Sequence, residues 1–369
     1  MNIPFVDLKT QYKNLQVEID RALKEVCVSA SFILGPQVSQ FEKSFAAYLE
    51  TPYTVGVASA TDALYLAFAA LGIGAQDEVI LPANTFVATA VGVVRCQARP
   101  VLVDMDPETY LIDVDKIESA ITPRTKAICP VHLYGRVCDM DRIMRIAAKR
   151  SLMVVEDNAQ AVGARWKGKR VGTFGEFGCF SFYPGKNLGA YGDGGALATS
   201  SEELAQKIRR LRNYGSEQKY HYPEMGINSR LDSLQAAVLN VKLNYIESWN
   251  KKRWEAAQKY CDRLAPLAKR GLLKLPDLVS PAEHVFHLFV IQVENRERVM
   301  DYLAKKGIQT VIHYPIPFYL EGGYQYLGYG PGAFPATEAA RGKIVSLPMY
   351  PELTDEQIDY VVSTLKEIL

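Results

Sequence analysis

The sequence has no excess of one charge sign, because 42 Lys and Arg residues are matched by 41 Asp and Glu residues, for a net charge of +1. Without a broad basic field, we do not expect DNA, RNA or an anionic membrane as the main partner, although local basic groups can bind a phosphorylated small molecule. No run of about 18 apolar residues is present, so we predict no transmembrane helix. The N-terminus also lacks the basic and apolar segments of a signal peptide, and we therefore expect a cytoplasmic enzyme.

Cysteine is scarce, and no two cysteines form a CxxC pair. The six cysteines are Cys27, Cys96, Cys129, Cys138, Cys179 and Cys261. Because they are scattered and several lie in apolar runs, we expect buried free thiols in a reducing compartment. We predict no metal site.

Helical periodicity covers residues 8–28 and 36–50, and an alternation of short apolar runs with helical stretches follows. The apolar runs are 55–57, 78–81, 100–103, 126–131 and 152–155, and the helical stretches lie near 61–71, 84–96, 113–121 and 139–150. Strands that are apolar throughout and alternate with helices indicate parallel βαβ units covered on both faces. We predict an α/β fold with an open, doubly wound, mostly parallel sheet.

The pattern changes near residue 174, where a region rich in glycine and aromatic residues begins. A helix is predicted near 201–213, and a long helical stretch, with an interruption, runs from about 231 to 268. Further strands are predicted at 284–293 and 308–314, and further helices at 295–307, 334–344 and 354–368. These elements indicate a smaller α+β C-terminal domain. We therefore divide the chain into a large domain, 1–250, and a small domain, 251–369.

Two residues suggest a specific chemistry. Asp157 follows the apolar run that ends at Val155, so its carboxylate can face a ligand at the carboxyl edge of the sheet, or else cap the next helix. Lys186 lies on a glycine-rich loop after an aromatic run; most lysines are solvated, but burial there would lower the pKa of the amine and favour attack on a carbonyl. An Asp at a strand end and a Lys about 30 residues later are typical of pyridoxal-phosphate enzymes. The Lys forms a Schiff base, and the Asp keeps the ring nitrogen protonated.

Such a cofactor needs a phosphate cradle and a stacking partner. The segment Ser59-Ala60-Thr61 joins a strand to a helix, and backbone N–H groups at a helix N-terminus suit a phosphate. Ser59 or Thr61 could equally be a plain N-cap. Ser181 could supply a further hydroxyl, and Phe86 is a candidate to stack on the ring, unless it is simply a core residue.

Eight motifs together point to a known family. They are residues 5–8 (Phe-Val-Asp-Leu), 61–64 (Thr-Asp-Ala-Leu), 82–86 (Pro-Ala-Asn-Thr-Phe), 132–135 (His-Leu-Tyr-Gly), 156–160 (Glu-Asp-Asn-Ala-Gln), 181–195, 228–232 (Asn-Ser-Arg-Leu-Asp) and 313–315 (His-Tyr-Pro). Over essentially its whole length the chain resembles the DegT/StrS sugar aminotransferases, which have the type I (aspartate aminotransferase) fold of pyridoxal-phosphate enzymes. Each motif alone is weak, but the set is highly specific.

The resemblance implies roles at the centre of the site. Lys186 would be the Schiff-base lysine and the proton carrier. Asp157 would pair with the pyridinium nitrogen, Gln160 would contact the ring oxygen, and Phe86 would stack on the ring.

The resemblance also implies how the cofactor phosphate is held. The amides of Ala60 and Thr61, with Ser181, would bind it. Position 60 is often Gly in relatives, and the Ala found here still offers its amide. Asn228 would reach the phosphate of the cofactor in the neighbouring subunit, because family members are homodimers with shared sites.

The substrates implied by the resemblance are glutamate, as amino donor, and a nucleotide-linked keto sugar, as acceptor. Candidate substrate contacts are Tyr183, Lys219, Tyr220, His221, Arg230, His313 and Tyr314. In the loop 214–222, aromatic rings could stack on a base and cations could meet a diphosphate, unless this loop is merely solvated. The planar fork of Arg230 also suits phosphate.

A narrower resemblance concerns the position of the new amine. Residues 213–216, 219–221 and 226–232 are similar to those of the 3-aminotransferases of deoxysugar pathways, whereas relatives that act on carbon 4 more often have a His near Tyr214. We therefore predict that a dTDP-linked 3-keto-6-deoxyhexose is converted to the 3-amino-3,6-dideoxyhexose.

Four alternatives stay open at the level of sequence. The first is a 4-keto sugar aminotransferase. The second is a sugar dehydratase, in which relatives replace the Schiff-base Lys by His, so that Lys186 favours amino transfer. The third is a regulatory relative without catalysis, against which the intact Lys186, Asp157, Gln160 and Ser181 argue. The fourth is a pyridoxal-phosphate lyase acting on an amino acid. Separately, His132, at a strand end, could be structural or functional.

Overall fold

The structure is a computed structural model that describes residues 1–369. The α-helices are α1 Leu8–Ser29, α2 Pro36–Leu49, α3 Ala60–Ala70, α4 Val87–Arg95, α5 Val114–Ala120, α6 Met140–Arg150, α7 Glu202–Leu211, α8 Ser233–Leu243, α9 Ile246–Lys269, α10 Arg296–Lys305, α11 Pro335–Arg341 and α12 Asp355–Ile368. The strands are β1 Tyr53–Val57, β2 Glu78–Pro82, β3 Arg99–Val103, β4 Thr125–Ile128, β5 Met153–Asp157, β6 Arg165–Trp166, β7 Lys169–Arg170, β8 Phe177–Ser181, β9 Gly195–Thr199, β10 Leu273–Lys274, β11 Phe289–Val293 and β12 Ile344–Leu347. Short 3-10 turns span Leu133–Gly135, Phe318–Leu320 and Gly322–Leu327. None of the helices combines the length and the apolar character that a membrane span requires.

Polar residues at the helix starts fix where several helices begin. The Asp7 carboxylate accepts the N–H of Thr10 at the start of α1, at 3.0 Å. At the start of α12, Thr354 and Gln357 bond to each other's backbone N–H groups in a capping box. Each of these bonds satisfies an N–H that the helix itself leaves without a partner, which explains why the predicted helix starts are accurate here.

The central sheet has seven strands in the order β1-β9-β8-β5-β4-β2-β3. Every neighbouring pair among β8, β5, β4, β2 and β3 is parallel, and β9 pairs antiparallel with both β8 and β1. The strands predicted at 55–57, 78–81, 100–103, 126–131 and 152–155 are all present in this sheet. The predicted mostly parallel α/β fold is confirmed.

Both faces of the sheet are covered, as the apolar strands predicted. In β2, Val79 and Leu81 pack into a core with residues of α3, α4 and α7. Ile80, between them, packs into a second core with residues of α5 and α6. Successive side chains of a strand point to opposite faces, so a strand buried on both sides must be apolar at every position.

The C-terminal part contains the antiparallel sheet β10-β11-β12, packed against α9, α10 and α12. Helix α9 joins the two parts, since Trp249 packs in the core that contains residues of β8 and β9, and Tyr260 packs in the core that contains residues of β11 and β12. The predicted boundary at 250/251 lies inside this helix, and the division into 1–250 and 251–369 stays a prediction. The N-terminal Ile3 is buried in the C-terminal core and pairs with Ile308.

Three details differ from the sequence predictions. Residues 308–314 do not form a strand, because Ile308 bonds to the N-terminal segment and Val311 bonds to Ser346 of β12, and these two partners do not form one continuous ladder. Asp157 is the last residue of β5 and does not lie beyond the strand. All six cysteines are free, as expected, but Cys27 lies on the exposed side of α1 and is not buried.

Candidate active site

One cavity of about 780 Å³ lies at the carboxyl edge of the central sheet. Ser59 follows β1, Phe86 follows β2, Asp157 ends β5, Ser181 ends β8, and Gly194 immediately precedes the reversed strand β9. The same edge of one sheet therefore supplies groups that are far apart in sequence, as expected for an open α/β fold. The N-terminal segment 5–8 and residues 287–288, 309 and 313–314 close the other side.

Lys186 lies on the loop between β8 and β9 and lines this cavity. The loop is fixed by backbone bonds and by the buried Lys242, whose Nζ donates to the carbonyl of Gly189 at 2.8 Å. Burial lowers the pKa of Lys186 to about 8, and the negative charge of Asp157 opposes that shift. About a tenth of the amine is therefore unprotonated at pH 7, far more than for an ordinary lysine, and the unprotonated amine is the form that attacks a carbonyl.

The carboxylate of Asp157 is buried and held on both oxygens. One oxygen accepts the hydroxyl of Thr89 at 2.8 Å, and the other accepts the N–H of Ala159 at 3.0 Å. Since Thr89 donates to Asp157, its own oxygen must accept from Thr85, 2.8 Å away. Burial raises the pKa of Asp157, while these hydrogen bonds and the charge of Lys186 lower it. A fixed carboxylate of this kind is suited to bind a protonated ring nitrogen.

Gln160, Tyr314 and Phe86 form one wall of the cavity. Gln160 accepts the N–H of Tyr134 at 2.5 Å and donates to the Tyr314 hydroxyl at 3.1 Å. The rings of Phe86 and Tyr314 lie 5.3 Å apart, and Phe86 is 50% exposed. A buried Phe would belong to the core, so an exposed one at a cavity mouth favours the stacking role.

The N-terminus of α3 lies where the sequence predicts a phosphate cradle. Ala60 and Thr61 are the first residues of this helix, so their N–H groups have no acceptor within it. The Ser59 hydroxyl caps the helix by accepting the N–H of Asp62 at 3.1 Å, which confirms the capping interpretation of that residue. Ser181 is buried beside the cavity, and its hydroxyl proton has no acceptor within the chain.

Gly195 allows β9 to approach this helix end closely. A Cβ atom at Gly195 would lie 2.5 Å from the carbonyl carbon of Ser59 and 2.7 Å from the nitrogen of Ala60. Any side chain there would push the helix terminus away from Ser181. The glycine-rich run after Lys186 thus serves to bring two backbone segments together.

Two histidines also line the cavity. His313, predicted as a substrate contact, bonds through Nδ1 to Ser346 at 2.9 Å, and burial beside Lys186 lowers its pKa to about 4. His287 was not predicted as a site residue. It lies in an apolar run, His-Val-Phe-His-Leu-Phe, whose pattern indicates only a buried strand, so no sequence signal distinguished it. Tyr183 lines the cavity at its exposed mouth.

Five predicted residues do not line this cavity. They are Lys219, Tyr220, His221, Asn228 and Arg230. Asn228 is exposed and pairs with Asn213, so the segment between them projects as a surface loop. Tyr220 on this loop is 78% exposed.

His132 is settled as a structural residue. It is fully buried, and its Nδ1 accepts the N–H of Cys138 at 3.1 Å. Its Nε2 therefore carries the proton and donates to Glu156, 3.2 Å away. It does not line the cavity.

The residues fit pyridoxal phosphate. The cavity offers an amine with a lowered pKa, a fixed carboxylate, an exposed aromatic ring and, at one end, free backbone N–H groups beside a free hydroxyl. Lys186, Asp157, Phe86 and the cradle of Ala60, Thr61 and Ser181 would hold its aldehyde, ring nitrogen, ring face and phosphate, respectively.

Comparison with known proteins agrees with this geometry. The profile of the DegT/DnrJ/EryC1/StrS aminotransferase family matches residues 13–366. The erythromycin biosynthesis sensory transduction protein EryC1 of Saccharopolyspora erythraea is 47% identical over 99% of both chains. The dTDP-3-amino-3,6-dideoxy-alpha-D-galactopyranose transaminase of Aneurinibacillus thermoaerophilus is 47% identical over 98% of both chains. The crystal structure of S. venezuelae DesV in complex with a ketimine intermediate superimposes with a TM-score of 0.95 at 44% identity, covering 99% of this chain and 98% of that one.

Proposed function

This chain belongs to the DegT/DnrJ/EryC1/StrS aminotransferase family, and we propose that it transfers the amino group of glutamate to carbon 3 of a dTDP-linked 3-keto-6-deoxyhexose. It is a pyridoxal-phosphate-dependent sugar aminotransferase. The observation that carries the proposal is that Lys186, with its pKa lowered to about 8, lines the same cavity as the buried carboxylate of Asp157. The product is dTDP-3-amino-3,6-dideoxyhexose.

The chain's own residues divide the work of the reaction. When bound, pyridoxal phosphate supplies a ring that accepts the electron pair released as a proton leaves the carbon bearing the nitrogen. Lys186 takes that proton at Nζ and returns it to the neighbouring reacting carbon, which its lowered pKa permits near neutral pH. Asp157 holds a proton on the ring nitrogen, and Gln160 donates toward the ring oxygen with the amide hydrogen that Tyr314 does not use.

The acceptor has to be recognised beyond the reacting carbon. Tyr183, His313 and Tyr314 lie at the cavity wall and are placed to contact the sugar. The exposed loop 214–222 offers aromatic rings for the base and the ammonium of Lys219 for the diphosphate. The dTDP carrier and carbon 3 are supported by the names of relatives such as the Aneurinibacillus enzyme.

The active species is a homodimer with shared sites. Lys219, Tyr220, His221, Asn228 and Arg230 do not line the cavity of their own chain, and most of them are exposed. Two-fold assembly would carry this surface to the mouth of the partner's cavity, where Asn228 completes the phosphate site. The scattered free cysteines favour a cytoplasmic location.

Catalysis is favoured over a purely regulatory role, although one relative has a sensory-transduction name. A protein that only kept the fold would not need Lys186, Asp157, Gln160 and Ser181 together in one cavity. Loss of yellow colour when glutamate is added to the purified protein, with release of the keto acid, would separate a transaminase from a lyase.

The test of the substrate is direct. Purified holoenzyme and glutamate are incubated separately with the 3-keto and the 4-keto dTDP-6-deoxyhexose, and the new amine is located by NMR. We expect amination at carbon 3. Amination only at carbon 4 would overturn the regiochemistry, and turnover of an unrelated keto acid with neither sugar aminated would overturn the whole proposal.

A further inference from the structure

His287 lies on the cavity wall, in the segment that leads into β11. Lys186 lies on the same cavity, close enough for its charge to contribute to the shift of the His287 pKa. The reaction steps carried by Lys186, Asp157 and Gln160 do not use this imidazole. Its position, beside the amine that must reach the reacting carbon, makes its hydrogen-bonding state important.

A relay of two buried amides fixes that state. The side-chain nitrogen of Asn250 donates to the carbonyl of Val162 at 2.9 Å, and this bond fixes the orientation of the Asn250 amide. The side-chain oxygen of Asn250 then accepts a hydrogen bond from the side-chain nitrogen of Asn187 at 2.8 Å. Asn187 spends its second amide hydrogen on the carbonyl of Val285, 3.0 Å away. The side-chain oxygen of Asn187 is then left to accept from His287.

The proton of the imidazole must therefore be on Nδ1. His287 Nδ1 lies 3.1 Å from the Asn187 oxygen, which can only accept. Nε2 consequently presents a lone pair, and the one hydrogen bond that the ring makes within the chain is through Nδ1. Burial, together with the positive charges of Lys186 and Arg253, keeps the His287 pKa well below its usual range, so the ring stays neutral.

We propose that His287 accepts a hydrogen bond, through Nε2, from the hydroxyl group next to the keto carbon of the sugar substrate, and that Asn187 and Asn250 are positioning residues that fix its tautomer. This inference rests on the proposed function, since it concerns the acceptor sugar. A 3-keto sugar carries hydroxyl groups on the carbons beside the keto carbon, and each can donate. In glutamate the neighbouring groups are a carboxylate and a methylene, and neither can donate to Nε2.

The two halves of the reaction should therefore respond differently. His287→Asn keeps an N–H for Asn187 but has no acceptor at the position of Nε2, whereas His287→Gln places an amide oxygen there. We expect His287→Asn to slow the sugar half-reaction by about 10-fold to 100-fold, with the glutamate half-reaction changed by less than about threefold. His287→Gln should recover most of the sugar rate.

A sugar lacking the neighbouring hydroxyl adds a second comparison. With the wild-type holoenzyme, the sugar that lacks this hydroxyl should react more slowly than the parent sugar. With His287→Asn, the two sugars should react at the same rate. If both half-reactions fall together in His287→Asn, or if the sugar half-reaction is unchanged, the inference is wrong. If the wild-type protein aminates no keto sugar at all, the proposed function itself fails, and the two failures are thus distinguishable.

The tautomer of His287 can be determined by NMR, in an experiment that does not depend on enzyme activity. The chain has five histidines, so nitrogen NMR of histidine-labelled protein is tractable, with His287→Gln to assign the signal. We expect a neutral ring with the proton on Nδ1 between about pH 6 and 8. Asn187→Leu should disturb this signal, and a proton on Nε2 or titration near the ordinary pKa in the wild-type protein would contradict the relay.

Discussion

Glu156 and Asp157 are adjacent at the end of β5, yet their carboxylates are held on opposite sides of the sheet. Asp157 lines the cavity and accepts from Thr89, whereas Glu156 accepts the N–H groups of Gly172, Phe174 and Gly175 and the proton of His132. The alternation of side chains along a strand separates them. One carboxylate therefore serves the site, and its neighbour ties the loop 172–175 to the sheet.

This arrangement predicts opposite outcomes for two isosteric changes. Asp157→Asn removes the charge that holds a proton on the cofactor ring, so the variant should fold and bind pyridoxal phosphate but lose turnover on the order of 100-fold or more. Glu156→Gln sets an amide N–H against a cluster of donors, and should lower the free energy of unfolding by about 2–4 kcal/mol. Denaturant titration and single-turnover kinetics measure the two effects. Near-normal turnover of Asp157→Asn would refute its role.

Covalent attachment of the cofactor should depend on Lys186 alone. Borohydride reduction of the yellow holoenzyme, followed by peptide mass mapping, should place the label on the peptide that contains Lys186, and Lys186→Ala should abolish it. Lys242 is the informative comparison, because it is another buried lysine and its pKa is lowered to about 7. Label on Lys242, or on any other lysine, would refute the assignment.

The lowered pKa of Lys186 predicts a pH dependence in the cofactor-free protein. Competitive acylation of Lys186 should rise through about pH 8, whereas an exposed lysine titrates above pH 10. Between pH 8 and about 10.4 the unfolded chain binds the proton that the folded chain has released, so this group makes folding stability increase with pH over that range. In Lys186→Met, the free energy of unfolding should therefore increase less between pH 8 and about 10.4 than in the wild-type protein. Replacing Asp157 by Asn should lower the Lys186 pKa further, since the opposing negative charge is lost.

Two serines near the phosphate cradle should affect different properties, one the affinity for the cofactor and the other the stability of the fold. Ser181→Ala removes a hydroxyl whose proton has no acceptor within the chain and whose oxygen accepts only a long bond, 3.3 Å, from the Tyr183 N–H, so it should weaken pyridoxal-phosphate binding by about 10-fold with little change in stability. Ser59→Ala removes the cap of α3 and should cost about 1 kcal/mol of stability. Cofactor titration of the apoprotein and thermal unfolding are the two measurements. Unchanged affinity in Ser181→Ala would exclude the hydroxyl from the cradle.

Sharing of sites between subunits can be tested by mixing a variant that lacks the Schiff-base lysine with one that lacks the Asn228 side chain. A dimer of Lys186→Ala with Asn228→Ala has one site with its own Lys186 and the partner's intact Asn228, so subunit exchange should restore about a quarter of the wild-type activity. The control mixes Lys186→Ala with Asp157→Asn, which damage the same cavity of each chain, and should restore none. A fully active monomer in light scattering, or equal activity in both mixtures, would contradict shared sites.

The sequence alone predicted the elements whose pattern is set locally. The apolar strands, the amphipathic helices and their caps follow from side-chain periodicity and from the N–H groups at helix ends, so the doubly wound sheet and most element bounds were correct. The segment 308–314 was wrongly predicted to be a strand. Ile308 pairs with Ile3 and Val311 pairs with Ser346, and these two isolated bridges do not make one strand ladder. Cys27 was predicted to be buried although it lies on the exposed side of α1.

The site itself was only partly determined by sequence. The sequence could predict that Lys186, Asp157, Gln160, Ser181 and the start of α3 line one cavity, because each follows or ends a strand in a recognisable motif and parallel strands bring such ends to one edge. Thr89, Asn187, Asn250 and His287 carry no such signal, because their hydrogen bonds join segments up to 100 residues apart. Burial, the fixed tautomer of His287 and the lowered pKa of Lys186 depend on which groups the folded chain encloses together. The sequence determined which chemistry is available, and only the tertiary structure decided which donors and acceptors remain free to use it, because hydrogen-bond partners and desolvation are properties of packed neighbours and not of local sequence.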